Sequence, residues 1–126
     1  MNSQQLQLVT FEQAKRLKEL RFDWGVKSFY ATNGRLYTTH YSCAESSNKI
    51  NGYFSAPLIA TALKWFRDVK KIGCSVNQVI IIGKISNRYS FSYNKTYGCQ
   101  YSTIDFDTYE AAESALLDEL LTILEK

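Results

Sequence analysis

Apolar residues recur every three or four positions in three stretches of this chain and alternate with polar ones in several others, a pattern of helices and strands. Residues 10–20 open with Thr10-Phe11-Glu12-Gln13, a capping box in which each side chain serves an orphan backbone N–H. Val9 and Ala14 are placed to staple that end. Phe11, Ala14, Leu17 and Leu20 then face inward and Glu12, Lys15, Arg16, Lys18 and Glu19 outward, until Phe22-Asp23-Trp24-Gly25 ends the helix, with Trp24 expected as a lid on the core. A second helix is predicted from Ser55-Ala56-Pro57, with Ser55 as cap, to about Gly73. Its buried stripe is Leu58, Ile59, Ala62, Leu63, Phe66 and Val69, with Trp65 at the edge. The third follows Asp107 or Thr108 as cap, with Glu110 and Glu113 near the first turn, where the helix dipole favours negative charge. Tyr109, Ala112, Leu116, Leu120 and Ile123 form its stripe, widened by Leu117, Leu121 and Leu124.

Between the helices lie β-prone runs. Asn33-Gly34 separates 28–32 from 35–41 and predicts a hairpin closed by a two-residue type I′ turn. Residues 43–54 are polar and read as a loop. Val76–Ile85 contains the run Val79-Ile80-Ile81-Ile82, expected as a central strand covered on both faces. Ser86-Asn87 is expected to turn the chain into Arg88–Tyr93, which alternates strictly. Asn94-Lys95-Thr96 turns it again into Tyr97–Ile104. The order α-β-β-α-β-β-β-α, with short turns between neighbouring strands, predicts an α+β domain spanning residues 1–126, with 1–9 frayed. An antiparallel sheet of about five strands would carry the helices mainly on one face.

Composition adds one asymmetry. Residues 1–104 hold 14 Lys and Arg against 5 Asp and Glu, a net +9, whereas 105–126 hold one against seven, a net −6. Either the acidic closing helix lies beside basic parts of the body, or the body presents a positive surface to an anionic partner. No apolar run approaches the roughly 18 residues of a membrane span, and the first ten residues lack the pattern of a signal peptide. Three cysteines, Cys43, Cys74 and Cys99, fit free thiols better than a disulfide framework. A cytoplasmic protein without a membrane partner is the expectation.

Catalytic chemistry is sparse. His40 is the single histidine, and His40 with Cys43 forms an H-x-x-C to which Cys74 and Cys99 would have to be brought by the fold. The close ligand pairs of structural zinc are missing, as are phosphate-binding glycine motifs and nucleophile elbows. Asp105 and Asp107 are near enough to share a cation, but helix capping accounts for at least one of them. No enzyme activity, metal or cofactor is expected. Binding suits the 14% aromatic content better. Tyr89, Phe91 and Tyr93 share one strand face beside Lys84 and Arg88, and Lys64, Arg67, Lys70 and Lys71 cluster on the second helix. If the strand face were open these residues would offer bases a stacking platform with nearby cations; if helices cover it, it is core.

Three segments, Phe11–Leu20, Ser55-Ala56-Pro57-Leu58 running to Lys64-Trp65-Phe66-Arg67, and Asp107–Leu121, resemble those of short uncharacterised proteins encoded by phages and prophages of gut bacteria. The resemblance implies an accessory role inside the host cell and assigns no catalytic residues. A protein partner or self-association is the leading expectation, with nucleic acid or a sequestered small molecule as alternatives.

Overall fold

A computed structural model of the chain describes residues 7–38, 52–81, 83–95, 98–102 and 104–124. Its elements are α1 (Phe11–Glu19), β1 (Ser28–Ala31), β2 (Leu36–Thr38), β3 (Tyr53–Ser55), α2 (Ile59–Asp68), β4 (Cys74–Ile81), β5 (Lys84–Lys95), β6 (Gly98–Tyr101) and α3 (Tyr109–Leu124). The class is α+β. The predicted single sheet of about five strands is instead two three-stranded antiparallel sheets among the described residues, ordered β2-β1-β3 and β4-β5-β6. Two compact units result, Met1–Thr61 with Leu121–Lys126, and Ala62–Leu120.

In the first unit, the capping box forms as expected. Thr10 N–H donates to Gln13 Oε1 at 2.9 Å and Gln13 N–H to Thr10 Oγ1 at 3.2 Å. Ala14 and Leu17 are fully buried. The helix closes in a Schellman motif, with Phe22 N–H returning to Leu17 O and Arg21 N–H to Lys18 O. Arg21 takes the left-handed position at φ 70°, where glycine is usual. Residues 7–9, expected to fray, are held instead: Val9 N–H donates to Pro57 O at 3.0 Å, Ile59 N–H donates to Gln7 O at 2.9 Å, and Val9 is fully buried.

The hairpin departs from the predicted turn. Asn33 does not have positive φ; Gly34 alone does, at +84°. Gly34 N–H donates to Ala31 O and Ala31 N–H to Arg35 O, so the loop is the three residues Thr32-Asn33-Gly34. Asn33 Oδ1 accepts from Arg35 N–H at 2.8 Å, the local bond that suits asparagine to turns. The pairs are therefore Ser28 with Thr38, Phe29 with Tyr37 and Tyr30 with Leu36. A two-residue turn would have paired Tyr30 with Tyr37; the slip of one residue exchanges which side chains share a face. The stretch read as a loop supplies a strand, β3, which pairs Phe29 with Ser55, Tyr30 with Phe54 and Ala31 with Tyr53. Residues 39–51, with most of that loop and both His40 and Cys43, lie outside the described residues.

Ser55 is thus a strand residue and not the cap of α2. Ala56 N–H continues the ladder to Ser28 O and Leu58 bridges Leu8, so the helix cannot begin before Ile59. It ends at Asp68, short of the expected Gly73, with Lys71 left-handed at φ 61°. The early end reverses two expectations: Val69, beyond the helix, is 48% exposed, while Trp65 is 1% exposed and lies in the core with Ala62, Leu63 and Phe66.

In the second unit, the expected turn at Ser86-Asn87 does not occur. Ile81 pairs with Lys84 and the chain reverses at Gly83, φ +76°, so β5 runs unbroken for twelve residues. β5 is the central strand. β4 is an edge strand rather than the covered centre predicted for it, and its register shifts between Gln78 and Ile80. The first part of the expected strand 97–104 forms as β6, which pairs Ser92 with Tyr101 and Asn94 with Cys99. Thr108 caps α3, its Oγ1 accepting from Ala111 N–H at 3.0 Å. Along α3 Ala112, Leu116, Leu117, Leu120 and Leu121 are fully buried, whereas Tyr109 is 43% exposed. Each buried leucine contributes about 1.5–3 kcal/mol by leaving water.

Two stability changes follow. Leu120→Ala should destabilise the protein by about 2–5 kcal/mol in urea unfolding, because a methyl group replaces an isobutyl group in a closed core. Gly34→Ala should cost about 1–2 kcal/mol from the left-handed backbone alone. A Cβ at that position would lie 3.4 Å from Phe11 Cδ2, ordinary contact, so the backbone term carries the effect.

Candidate functional site

Alternation along β1, β2 and β3 divides their side chains between two faces. Tyr30, Leu36 and Phe54 share one face, on which α1 sets Phe11 at 5.5 Å from the Tyr30 ring and 5.7 Å from the Phe54 ring. Lys18 Nζ sits 4.9 Å over Phe54 and donates to Tyr53 O at 2.8 Å. The Tyr30 hydroxyl donates to Val9 O at 2.8 Å, and burial raises its pKa.

The other face carries a row of rings across all three strands. Phe29 of β1 stacks on Tyr37 of β2 at 5.6 Å, with 21° between the planes, and meets Tyr53 of β3 at 4.8 Å. Tyr37 is 42% and Tyr53 38% exposed. The Arg35 guanidinium lies over Tyr37, 5.8 Å from its centroid. Rings in mutual contact that keep this much open surface can stack with a partner and direct their hydroxyls to it. The sequence reading missed the row for two reasons. Pairing Phe29 with Tyr37 needs the three-residue loop, and Tyr53 lay in a stretch too polar to read as a strand. Gly52-Tyr53-Phe54, with Gly52 at φ +89°, was the available signal.

The residues singled out in the second unit are arranged differently. Phe91 and Tyr93 are 7% and 3% exposed, so the alternating face of β5 is core and offers bases no platform. Tyr89 is half-buried, bonded through its backbone to Phe106 and edge-on to Tyr109 at 5.9 Å. Arg88 donates to Asp107 Oδ1 and to Asp105 O, both at 3.0 Å, which holds the approach to α3. Lys84 opens β5 opposite Ile81.

On α2, Lys64 pairs with Asp68 at 2.5 Å, holding that carboxyl below its usual range. Arg67 donates to Cys74 O at 3.3 Å. Lys70 Nζ lies 5.3 Å over the Trp65 ring. Lys71, three residues beyond the helix, is exposed and left-handed. Local partners thus account for three of these four cations. Burial pushes up the pKa of the Cys74 thiol, the direction of an inert cysteine. Cys99 is exposed, with Sγ 3.3 Å from Asn94 Oδ1. Among the described residues no three His, Cys, Asp or Glu side chains gather as metal ligands, and no helix is long and apolar enough to cross a membrane.

No family model, curated protein or solved structure matches this chain.

The most perturbed phenol is Tyr93. Its hydroxyl donates to Glu119 Oε2 at 2.8 Å, and burial, reinforced by that bond and the negative charge, raises its pKa from 10.0 to about 12. A raised acid pKa means that the folded state holds the proton more tightly. The stabilisation is therefore complete below pH 10 and is lost as pH rises towards 12, a loss on the order of 2 kcal/mol. Urea unfolding at intervals between about pH 9 and 12 should show wild type losing that much more than Tyr93→Phe; parallel curves for the two would show that burial and the Glu119 bond do not raise the Tyr93 pKa this far.

Proposed function

We propose that this protein acts by binding a macromolecule, not by catalysis, and that the Phe29–Tyr37–Tyr53 face of the first sheet makes the contact. The observation that carries this reading is the exposure of Tyr37 and Tyr53 within a continuous row of rings. Tyrosine gives a large, rigid contact area at small entropic cost, and tyrosine and arginine are enriched at sites where a few residues supply most of the binding energy. Arg35 stands over Tyr37 at the rim of the row. Within the same proposal the binding serves an accessory role inside an infected or lysogenic host cell, a reading supported by the resemblance of the helix segments to short phage and prophage proteins.

The test is a comparison of two baits in a lysate of a gut bacterium, the wild-type chain and the double substitution Tyr37→Ser, Tyr53→Ser. Both side chains are exposed, so the substituted protein should melt within about 1 kcal/mol of wild type. A macromolecule held by wild type should be lost with the variant. Equal retention by both baits would mean that another surface does the binding.

A further inference from the structure

We infer that the ligand of this face is a single-stranded nucleic acid, bound by stacking of its bases on Tyr37 and Tyr53 while Arg35 engages the adjacent phosphates; the inference rests on the face being the binding surface. The shape of the face fits a single strand. The rings form a row one residue wide across three strands, with Phe29 touching both tyrosines. A file of unstacked bases meets such a row ring by ring, whereas a protein interface is built around a broader apolar centre with a polar rim. Bases inside a duplex keep their faces stacked on one another, so a duplex has nothing to offer these rings.

The charge at the row fits a polyanion. Residues 28–38 and 53–55, which build the sheet and its hairpin loop, contain Arg35 and no Asp or Glu. At the row itself the charge is the Arg35 guanidinium over Tyr37, and the strands that carry the rings add no carboxylate to repel a polyanion.

Stacking reads neither sequence nor sugar, because every base has a flat face. DNA and RNA strands of one sequence should bind within about threefold of each other.

The experiment is fluorescence anisotropy of the full chain with labelled deoxythymidine and uridine oligomers of about twelve nucleotides, a length within the usual site size. A duplex of the same length is the third probe, each read at about 50 and 200 mM salt. Both single strands should bind at the lower salt and weaken about two- to threefold at the higher, as for a single phosphate contact at Arg35. Tyr37→Ala with Tyr53→Ala should cost about tenfold or more, since each stacked base is worth roughly 1–3 kcal/mol. Tyr37→Phe with Tyr53→Phe should restore binding to within about threefold, because the rings remain.

Four outcomes would overturn the inference: no single-strand binding at low salt, tighter binding of the duplex, unchanged affinity in the double alanine variant, or loss of binding on Lys70→Ala with Lys71→Ala alone. Capture from lysate separates the two levels of the argument. A protein retained after nuclease treatment by wild type but not by Tyr37→Ser, Tyr53→Ser would defeat the nucleic-acid inference and leave the binding face standing. Retention unaffected by the tyrosine substitutions would defeat both.

Discussion

One backbone conformation decides which side chains the first sheet shows to solvent. Gly34 holds φ +84°, closing a three-residue loop and pairing Phe29 with Tyr37. Strand side chains alternate, so this register also sends Tyr30, Leu36 and Phe54 to the side that α1 covers with Phe11. With the alternative two-residue turn, Tyr30 and not Phe29 would share a face with Tyr37. The row of rings therefore depends on a residue with no side chain. β3 completes it, because β1 pairs on both sides and draws Tyr53 beside Phe29.

What could be read from the sequence was what local chemistry alone determines. The Thr10–Gln13 box, the leucine stripe of the closing helix and the alternation of Tyr89, Phe91 and Tyr93 each depend on spacing within one element, and each appears in the structure. What could not be read depends on a choice between elements. Asn33-Gly34 is compatible with two loop lengths that differ by one residue of register. Ser55-Ala56-Pro57 has the composition of a helix start, but its backbone is already engaged by Ser28 and Val9. Ser86-Asn87 resembles a turn, yet Gly83 reverses the chain three residues earlier and Arg88–Tyr93 becomes the second half of a longer strand. The candidate site belongs with the second group: the aromatic content of the chain was plain, but Phe29, Tyr37 and Tyr53 come together only through the register and through a strand in a stretch that reads as a loop.

The charged residues that first suggested an anionic partner illustrate the difference between sequence proximity and availability. Four cations within eight residues of one helix read as a patch. Lys64 has its carboxylate one turn away, Arg67 caps the start of β4, and Lys70 rests on Trp65. Arg88 likewise serves Asp105 and Asp107 ahead of the acidic helix. Part of the opposition between a basic body and an acidic end is thus settled inside the second unit. Arg35 differs in context, since its guanidinium lies against an exposed ring.

The second sheet presents its own hazard, and its backbone contains a remedy. An eight-residue strand at a sheet edge is a template on which another chain can add itself, the first step towards a fibre. The register of β4 breaks between Gln78 and Ile80, just before its most apolar residues. An irregularity there interrupts the regular file of donors and acceptors that a growing aggregate would copy. Ile80 and Ile81 are thereby carried on an interrupted edge rather than a regular one, and colloidal behaviour at high concentration becomes a property of backbone register as much as of net charge.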